Sequence, residues 1–231
     1  MTYVVSNIHG NYNKFKALLC EISFRERDVM YILGDIVDYG EDSIELINDI
    51  SMRYNVLPIL GDHDMRAYKL LSSLDEMLRE GTMPDAEALG EMTEWIRDGG
   101  GKVMEDFKAL DEEAREGILD YLSDMSLYEE VEVGGKTYVL VHAGIADFDE
   151  DISLDDCMPE DFISEPIDVN RTYYKDKTII FGHTPTYEIE GGKNGKIYHS
   201  DNNSIAIDCG AAFDEPLGCL CLETGEEYYV G

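Results

Sequence analysis

The chain has 231 residues, 44% of them hydrophobic, which is long enough for one sizeable core, and 50 acidic residues against 18 basic ones leave a formal net charge of −32. A field of that sign, with no Lys/Arg cluster to break it, excludes nucleic acid and anionic membranes as partners, and its ordinary role is solubility. It also sets a condition, because any phosphate chemistry on such a chain needs local positive charge, which bound metal ions can supply.

No apolar run approaches the roughly 20 residues of a membrane span, and residues 1–6 run directly into strand pattern, so a soluble, cytoplasmic protein is expected. Five cysteines, odd in number and without zinc-type spacing, read as reduced and mostly buried thiols.

Residues 2–6 form a short apolar and β-branched strand that ends in Asn7-Ile8-His9-Gly10-Asn11, after which Phe15, Leu18, Leu19 and Ile22 recur at helical spacing. Residues 29–33 make a second strand. It delivers Gly34-Asp35-Ile36-Val37-Asp38-Tyr39-Gly40 and leads into a helix over 43–50. A third unit runs through 55–60, Gly61-Asp62-His63-Asp64 and a helix from Met65. Three successive strand-loop-helix units predict a parallel sheet with right-handed crossovers, and each loop then carries ligand-type side chains at the same sheet edge.

From about 65 to 125 the pattern is helical throughout, punctuated by Gly81, Pro84 and Gly99-Gly100-Gly101, and it predicts a helical insertion beside the sheet. Trp95, the single tryptophan, is expected to pack in its core. A hairpin with a Gly134-Gly135 turn follows, and its second strand ends on His142-Ala143-Gly144. After a polar, acidic loop over 147–176, the strand at 178–181 delivers Gly182-His183-Thr184-Pro185. Short strands near 197, 204–207, 217–222 and 227–230 are expected to complete a second, largely antiparallel sheet. The fold class is therefore α/β, in a single domain over 1–231 with the insertion at about 65–125.

Four of the five histidines, His9, His63, His142 and His183, stand at strand tips beside Gly and near Asn or Asp; His199 lies in a polar stretch where a surface role is the default. One such histidine is ordinarily structural, but four in this arrangement are hard to obtain from packing alone. Imidazole mixed with carboxylate suits manganese, iron, zinc or nickel, whereas calcium and magnesium favour oxygen alone. The set is large enough for two metals that share a bridging carboxylate.

The order Asn7-x-His9, Gly34-Asp35-x-x-Asp38, Gly61-Asp62-His63-Asp64, His142-Ala143-Gly144 and Gly182-His183-Thr184-Pro185 resembles the calcineurin-like metallophosphoesterases. Within them it is most similar to the serine/threonine phosphoprotein-phosphatase branch, with its pattern D-x-H-G, G-D-x-x-D-R-G, G-N-H-D/E, H-A/G-G and G-H-T-P. The match runs from residue 2 to about 222. It implies a two-sheet sandwich flanked by helices and two divalent metal ions, manganese foremost, with iron, zinc or nickel as alternatives. One ion would be held by Asn7, His9 and Asp35, the second by Asp35, Asp62, His142 and His183. The implied nucleophile is a metal-bridging hydroxide, with His63 as general acid and Asp38 holding its ring. The substrate would be a phosphoprotein or a small phosphoester. Alternatives are a dinucleotide hydrolase of the diadenosine tetraphosphatase kind, a phosphodiesterase, or a catalytically impaired phosphatase-like binding protein.

Three departures qualify the resemblance. Asn7 replaces the family's Asp and Asp62 its Asn, so the carboxylate count is unchanged but one charge has moved from the first metal to the second, and the first is expected to bind more weakly. Tyr39 replaces an arginine that would clamp phosphate through two parallel hydrogen bonds. Arg171 is the only arginine upstream of Gly182 in the stretch where the family has another, at a shifted spacing, and Arg66 is the remaining candidate; Arg66, Arg171 and Tyr39 are thus the expected substrate contacts.

Overall fold

The computed structural model describes residues 1–149 and 153–231. β1 (Thr2–Val5), β2 (Val29–Leu33) and β3 (Val56–Ile59) each lead into a helix, respectively α1 (Tyr12–Glu21), α2 (Ser43–Ser51) and α3 (Asp62–Glu80). The three strands pair in parallel, Tyr3 opposite Met30 and Met30 opposite Val56, as the repeated strand-loop-helix pattern requires. Pro58 is tolerated in β3 because that strand lies at the edge of its sheet.

After α3 come α4 (Ala86–Trp95), α5 (Gly101–Ala109) and α6 (Glu112–Ser123). Between α4 and α5 the chain kinks over residues 96–100. Gly99 takes φ +105°, and Gly100 lies so close to the Trp95 indole that a Cβ there would collide with it. The hairpin of β4 (Tyr128–Val133) and β5 (Lys136–Val141) turns on Gly134 and Gly135, both at positive φ. β6 (Lys177–Phe181) follows a long connection that contains the short helix α7 (Pro159–Ile163); residues 150–152 of the expected acidic loop lie outside the described residues. The chain closes with β7 (Tyr198–His199), β8 (Ser204–Ala206), β9 (Leu217–Cys221) and β10 (Glu227–Val230).

These strands form two five-stranded sheets, β10-β9-β1-β2-β3 and β4-β5-β6-β8-β7. The expected second sheet needs correction on two counts. β9 and β10 belong to the first sheet, where β9 runs antiparallel to β1 with Val4 opposite Leu220. β9 is buried along its whole length, so it needs a strand on each side, and β1 offers the open edge. The second sheet is mixed rather than largely antiparallel: β5, β6 and β8 are parallel, with antiparallel β4 and β7 at its edges.

Alternation along the strands makes three apolar layers. Val4 and Leu33 of the first sheet face Tyr138, Leu140 and Ile180 of the second in the layer between the sheets. Their neighbours Tyr3, Val5, Met30 and Ile32 point the other way, into a core shared with α1 to α6 that includes Trp95 and Phe107. Val139, Val141, Ile179 and Phe181 pack outward against Phe162 and Tyr174. The architecture is an α/β arrangement of two sheets flanked by helices. All five cysteines are free, and Cys209, Cys219 and Cys221 are buried. Among the described residues no helix is long and apolar enough to cross a membrane.

Candidate metal centre

The carboxyl ends of β1, β2, β3, β5 and β6 converge, and backbone hydrogen bonds tie their tips together. The amide N–H groups of Asn7, His9 and Gly10 donate to the carbonyls of Gly34, Asp35 and Ile36 at 3.1, 2.9 and 2.7 Å. Gly182 N–H donates to the His142 carbonyl at 2.7 Å. The two sheets are joined at the same place by His142 Nδ1–H, which donates to the Leu33 carbonyl at 2.8 Å. Ten non-glycine residues among those described adopt positive φ, and six of them are Asn7, His9, Asp35, Asp38, Tyr39 and His183. Left-handed backbone costs about 1–2 kcal/mol per residue. Its concentration here marks the tips as the place where strain is tolerated to aim side chains.

Asp64 is the clamp that holds this geometry. Buried in the first turn of α3, it accepts hydrogen bonds from the backbone N–H groups of Asp35, Ile36, Val37 and Gly61 at 2.8, 2.9, 3.3 and 3.1 Å. His63 N–H, at the same helix end, donates to Asp35 Oδ1 at 3.2 Å. The positive end of the α3 dipole thus meets the carboxylates of Asp35 and Asp64.

Asp35, Asp62, His142 and His183 each offer one ligand atom, and those four atoms lie within 4.8 Å of one another. Because His142 Nδ1 carries the proton given to Leu33, its Nε2 presents a lone pair, 3.0 Å from Asp62 Oδ1 and 3.5 Å from Asp35 Oδ1. His183 Nδ1 stands 2.9 Å from the same Asp62 oxygen and 3.2 Å from His142 Nε2. Burial and the neighbouring Asp62 raise the Asp35 carboxyl, whereas the flanking imidazoles of His142 and His183 overcome burial to hold Asp62 low. Two imidazoles and two carboxylates fit a divalent transition metal.

On the other side of Asp35 the arrangement differs. His9 Nδ1–H donates to the Val37 carbonyl at 2.8 Å, and its Nε2 faces Asp35 Oδ2 at 3.5 Å. Burial, with the neighbouring His63 second, depresses the His9 imidazole to about 3, so it is neutral. Asn7, 2% exposed, turns its amide nitrogen toward both groups, 2.9 Å from Asp35 Oδ2 and 3.4 Å from His9 Nε2. Its oxygen points away.

His63 Nδ1 lies 2.7 Å from Asp38 Oδ2, which leaves Nε2 as the nitrogen available to the cleft. Burial disfavours its imidazolium, but the Asp38 hydrogen bond and the charges of Asp35 and Asp62 prevail and raise it to about 9. Asp38 is fully buried, and Trp95 Nε1–H donates to both of its oxygens at 3.0 Å. Trp95 is packed in the core as expected, and it also holds the carboxylate that holds His63.

Asp35, His63 and His183 line one cleft. Its mouth carries Tyr39, whose ring centroid is 5.0 Å from His9, 5.2 Å from His63 and 5.7 Å from Phe213. Neither arginine expected there lines it. Arg66 pairs with Asp98 at 2.9 Å and faces a groove with Lys69 and Glu91. Arg171 donates to the Phe148 carbonyl at 2.9 Å and lies over the Phe148 and Tyr173 rings. His199 is half-exposed and bonds Glu227 at 2.8 Å, in line with a surface role. Asp208, which lies in none of the motifs, also lines the cleft; it follows β8, so the strand-tip signal that singles out His183 applies to it as well. Burial pushes its carboxyl up to about 6.

Residues 2–217 match the family model of the calcineurin-like phosphoesterases. A symmetrical bis(5'-nucleosyl)-tetraphosphatase from Buchnera aphidicola subsp. Acyrthosiphon pisum (strain Tuc7) is 32% identical over 104 residues, which are 42% of this chain and 37% of that protein. Among solved structures, a metallophosphoesterase from Sphaerobacter thermophilus superposes with a TM-score of 0.58 at 16% identity, covering 100% of this chain and 88% of the other. A protein serine/threonine phosphatase from Saccharomyces cerevisiae gives 0.56 at 11% identity, covering 100% and 80%. At such identities the structures speak for the fold alone, while the family model spans nearly all of the sequence: the chain belongs to the calcineurin-like phosphoesterases.

Proposed function

We propose that this protein is a divalent-metal-dependent hydrolase of phosphate esters and anhydrides, with dinucleoside polyphosphates as its favoured substrate class. The observation that carries the reading is that the Asp35, Asp62, His142 and His183 cluster reaches, through Asp35 and His183, the same cleft that the Asp38-held His63 lines. Asp35, Asp62, His142 and His183 are the residues that would hold metal, with manganese the first ion to try. A bound divalent cation supplies Lewis acidity toward phosphoryl oxygens and lowers the pKa of water.

The chain's own residues do the rest. His63 donates a proton from Nε2 to the departing oxygen, and Asp38 keeps its ring in the tautomer and orientation for that task. Asp64 and the α3 N-terminus fix Asp35 and His63 relative to each other. Tyr39 and Phe213 replace a cationic clamp by an aromatic mouth, which suits a nucleobase better than a phosphorylated peptide. The similarity to a symmetrical tetraphosphatase supports the same choice, although the alignment covers about a third of that protein's length. Phosphoprotein hydrolysis, the first expectation from sequence, has the fold likeness in its favour, but among the described residues no Lys or Arg lines the cleft.

Kinetics with diadenosine tetraphosphate, a phosphoserine peptide and p-nitrophenyl phosphate, each with added manganese, test the proposal. The dinucleotide should be preferred by about tenfold or more in kcat/KM, equivalent to about 1.4 kcal/mol. A peptide preference of that size would return the protein phosphatase reading, and no turnover of any of the three would return the binding-protein reading.

A further inference from the structure

We infer that this protein takes one divalent cation, in the cluster of Asp35, Asp62, His142 and His183, and that the side-chain NH2 of Asn7 stands where the resemblance calls for a second. The inference rests on the proposed metal cluster and concerns what lies on the other side of Asp35.

A cation ligand must present a lone pair. Asn7 presents two N–H bonds instead, aimed at Asp35 Oδ2 and at His9 Nε2. Both targets are acceptors, since His9 carries its proton on Nδ1, where it donates to the Val37 carbonyl. These are the two atoms that would otherwise complete a cation site with residue 7. A cation bonded to both would have to stand in front of the same lone pairs, facing the amide hydrogens.

The orientation of the amide is set by a donor with no alternative tautomer. Asn7 Oδ1 accepts the backbone N–H of His183 at 3.0 Å and lies against the Ser6 hydroxyl. Reversing the amide would turn its NH2 group onto that N–H and leave that donor without its acceptor. The oxygen side of the amide is closely packed: Ser6 Oγ and Asn7 Oδ1 occupy the space that a Cβ at Gly182 would need. The substitution pattern is consistent with this. The chain places its extra carboxylate, Asp62, in the four-ligand cluster and a neutral hydrogen-bond donor at residue 7, so one dication meets two carboxylates.

Metal content of the intact protein after dialysis against excess manganese tests the inference. One manganese per chain is expected, and Asn7→Asp should raise it to two. The electron paramagnetic resonance spectrum of the natural protein should be that of isolated manganese, without exchange coupling, a readout that holds even if Asn7→Asp fails to fold. His9→Ala should keep one manganese per chain with an affinity within about threefold, since His9 serves Asn7 rather than a metal. Two ions per chain or a coupled pair in the natural protein would overturn the inference and leave the proposed metal-dependent activity standing. So would an Asn7→Asp protein that folds and stays at one. No bound manganese at all would overturn both.

Discussion

The two sides of Asp35 are built alike and finished differently. Each takes residues from strand tips, each uses left-handed backbone to aim them, and each fixes a histidine by giving its Nδ1–H to a main-chain carbonyl, Val37 for His9 and Leu33 for His142. On the His142 side the remaining side-chain atoms converge into a group that could hold a cation. On the His9 side the Asn7 amide nitrogen faces Asp35 Oδ2 and His9 Nε2 from within the protein. Matching backbone scaffolds therefore do not imply matching ion sites. One side-chain atom, nitrogen or oxygen, decides whether such a pocket attracts a cation or replaces it.

The largest effect should come from the convergent side. Asp62→Ala or His183→Ala should abolish manganese binding, and both these variants and chelator-treated natural protein should lose about 10³-fold or more in kcat/KM, several kcal/mol of charge stabilisation. Calorimetric titration beside steady-state kinetics makes the check. Retained metal in both variants would show that the two sides have been assigned the wrong way round.

Next in size is His63, the proposed proton donor to the leaving group. His63→Ala should leave metal content unchanged and slow hydrolysis of alkyl phosphates by about 10²–10⁴-fold. For p-nitrophenyl phosphate or a dinucleoside polyphosphate the loss should be smaller, because those leaving groups need less protonation. A plot of rate against leaving-group basicity for the natural protein and the variant reads this directly; parallel lines would mean that His63 is no proton donor.

The strand tips were legible in the sequence because Gly, His, Asp and Asn recur after apolar runs, and the structure does bring Asp35, Asp62, His142 and His183 together and sets His63 against Asp38. What lay beyond reach depended on distant partners. The direction of the Asn7 amide is set by the His183 N–H, 176 residues away along the chain. Trp95 read correctly as core, but its bond to Asp38 spans 57 residues and no periodicity reports it. β9 and β10 had the right pattern for strands and went to the other sheet, since alternation tells which face is buried and not which strand is the neighbour. Asp64 was visible in its motif, yet its four backbone partners come from folding β2 against β3.

Trp95→Phe should have a moderate effect, about tenfold on kcat with little change in KM. The indole N–H positions Asp38 without touching the cleft, so its loss should act through His63 alone. The variant should therefore show the same leaving-group dependence as His63→Ala in weaker form, and unchanged manganese affinity. A uniform loss across all leaving groups would reduce Trp95 to a packing residue.

The smallest effects should come from the two arginines, and they sharpen the contrast by testing whether positive charge enters the cleft from the protein at all. Arg66 lies one turn beyond His63 on α3, but its guanidinium is engaged by Asp98 over a groove outside the cleft. Arg171 is held by the Phe148 carbonyl and two aromatic rings beside the second sheet. Exposed ion pairs of the Arg66 type contribute about 0–1 kcal/mol, so Arg66→Ala should fold normally. Both Arg66→Ala and Arg171→Ala should keep KM for diadenosine tetraphosphate and kcat within about twofold, while Tyr39→Ala, at the mouth, should raise KM by about fivefold or more. If instead either arginine variant loses more than Tyr39→Ala, the polyphosphate runs out of the cleft toward that side chain, and bound metal is not its only positive partner.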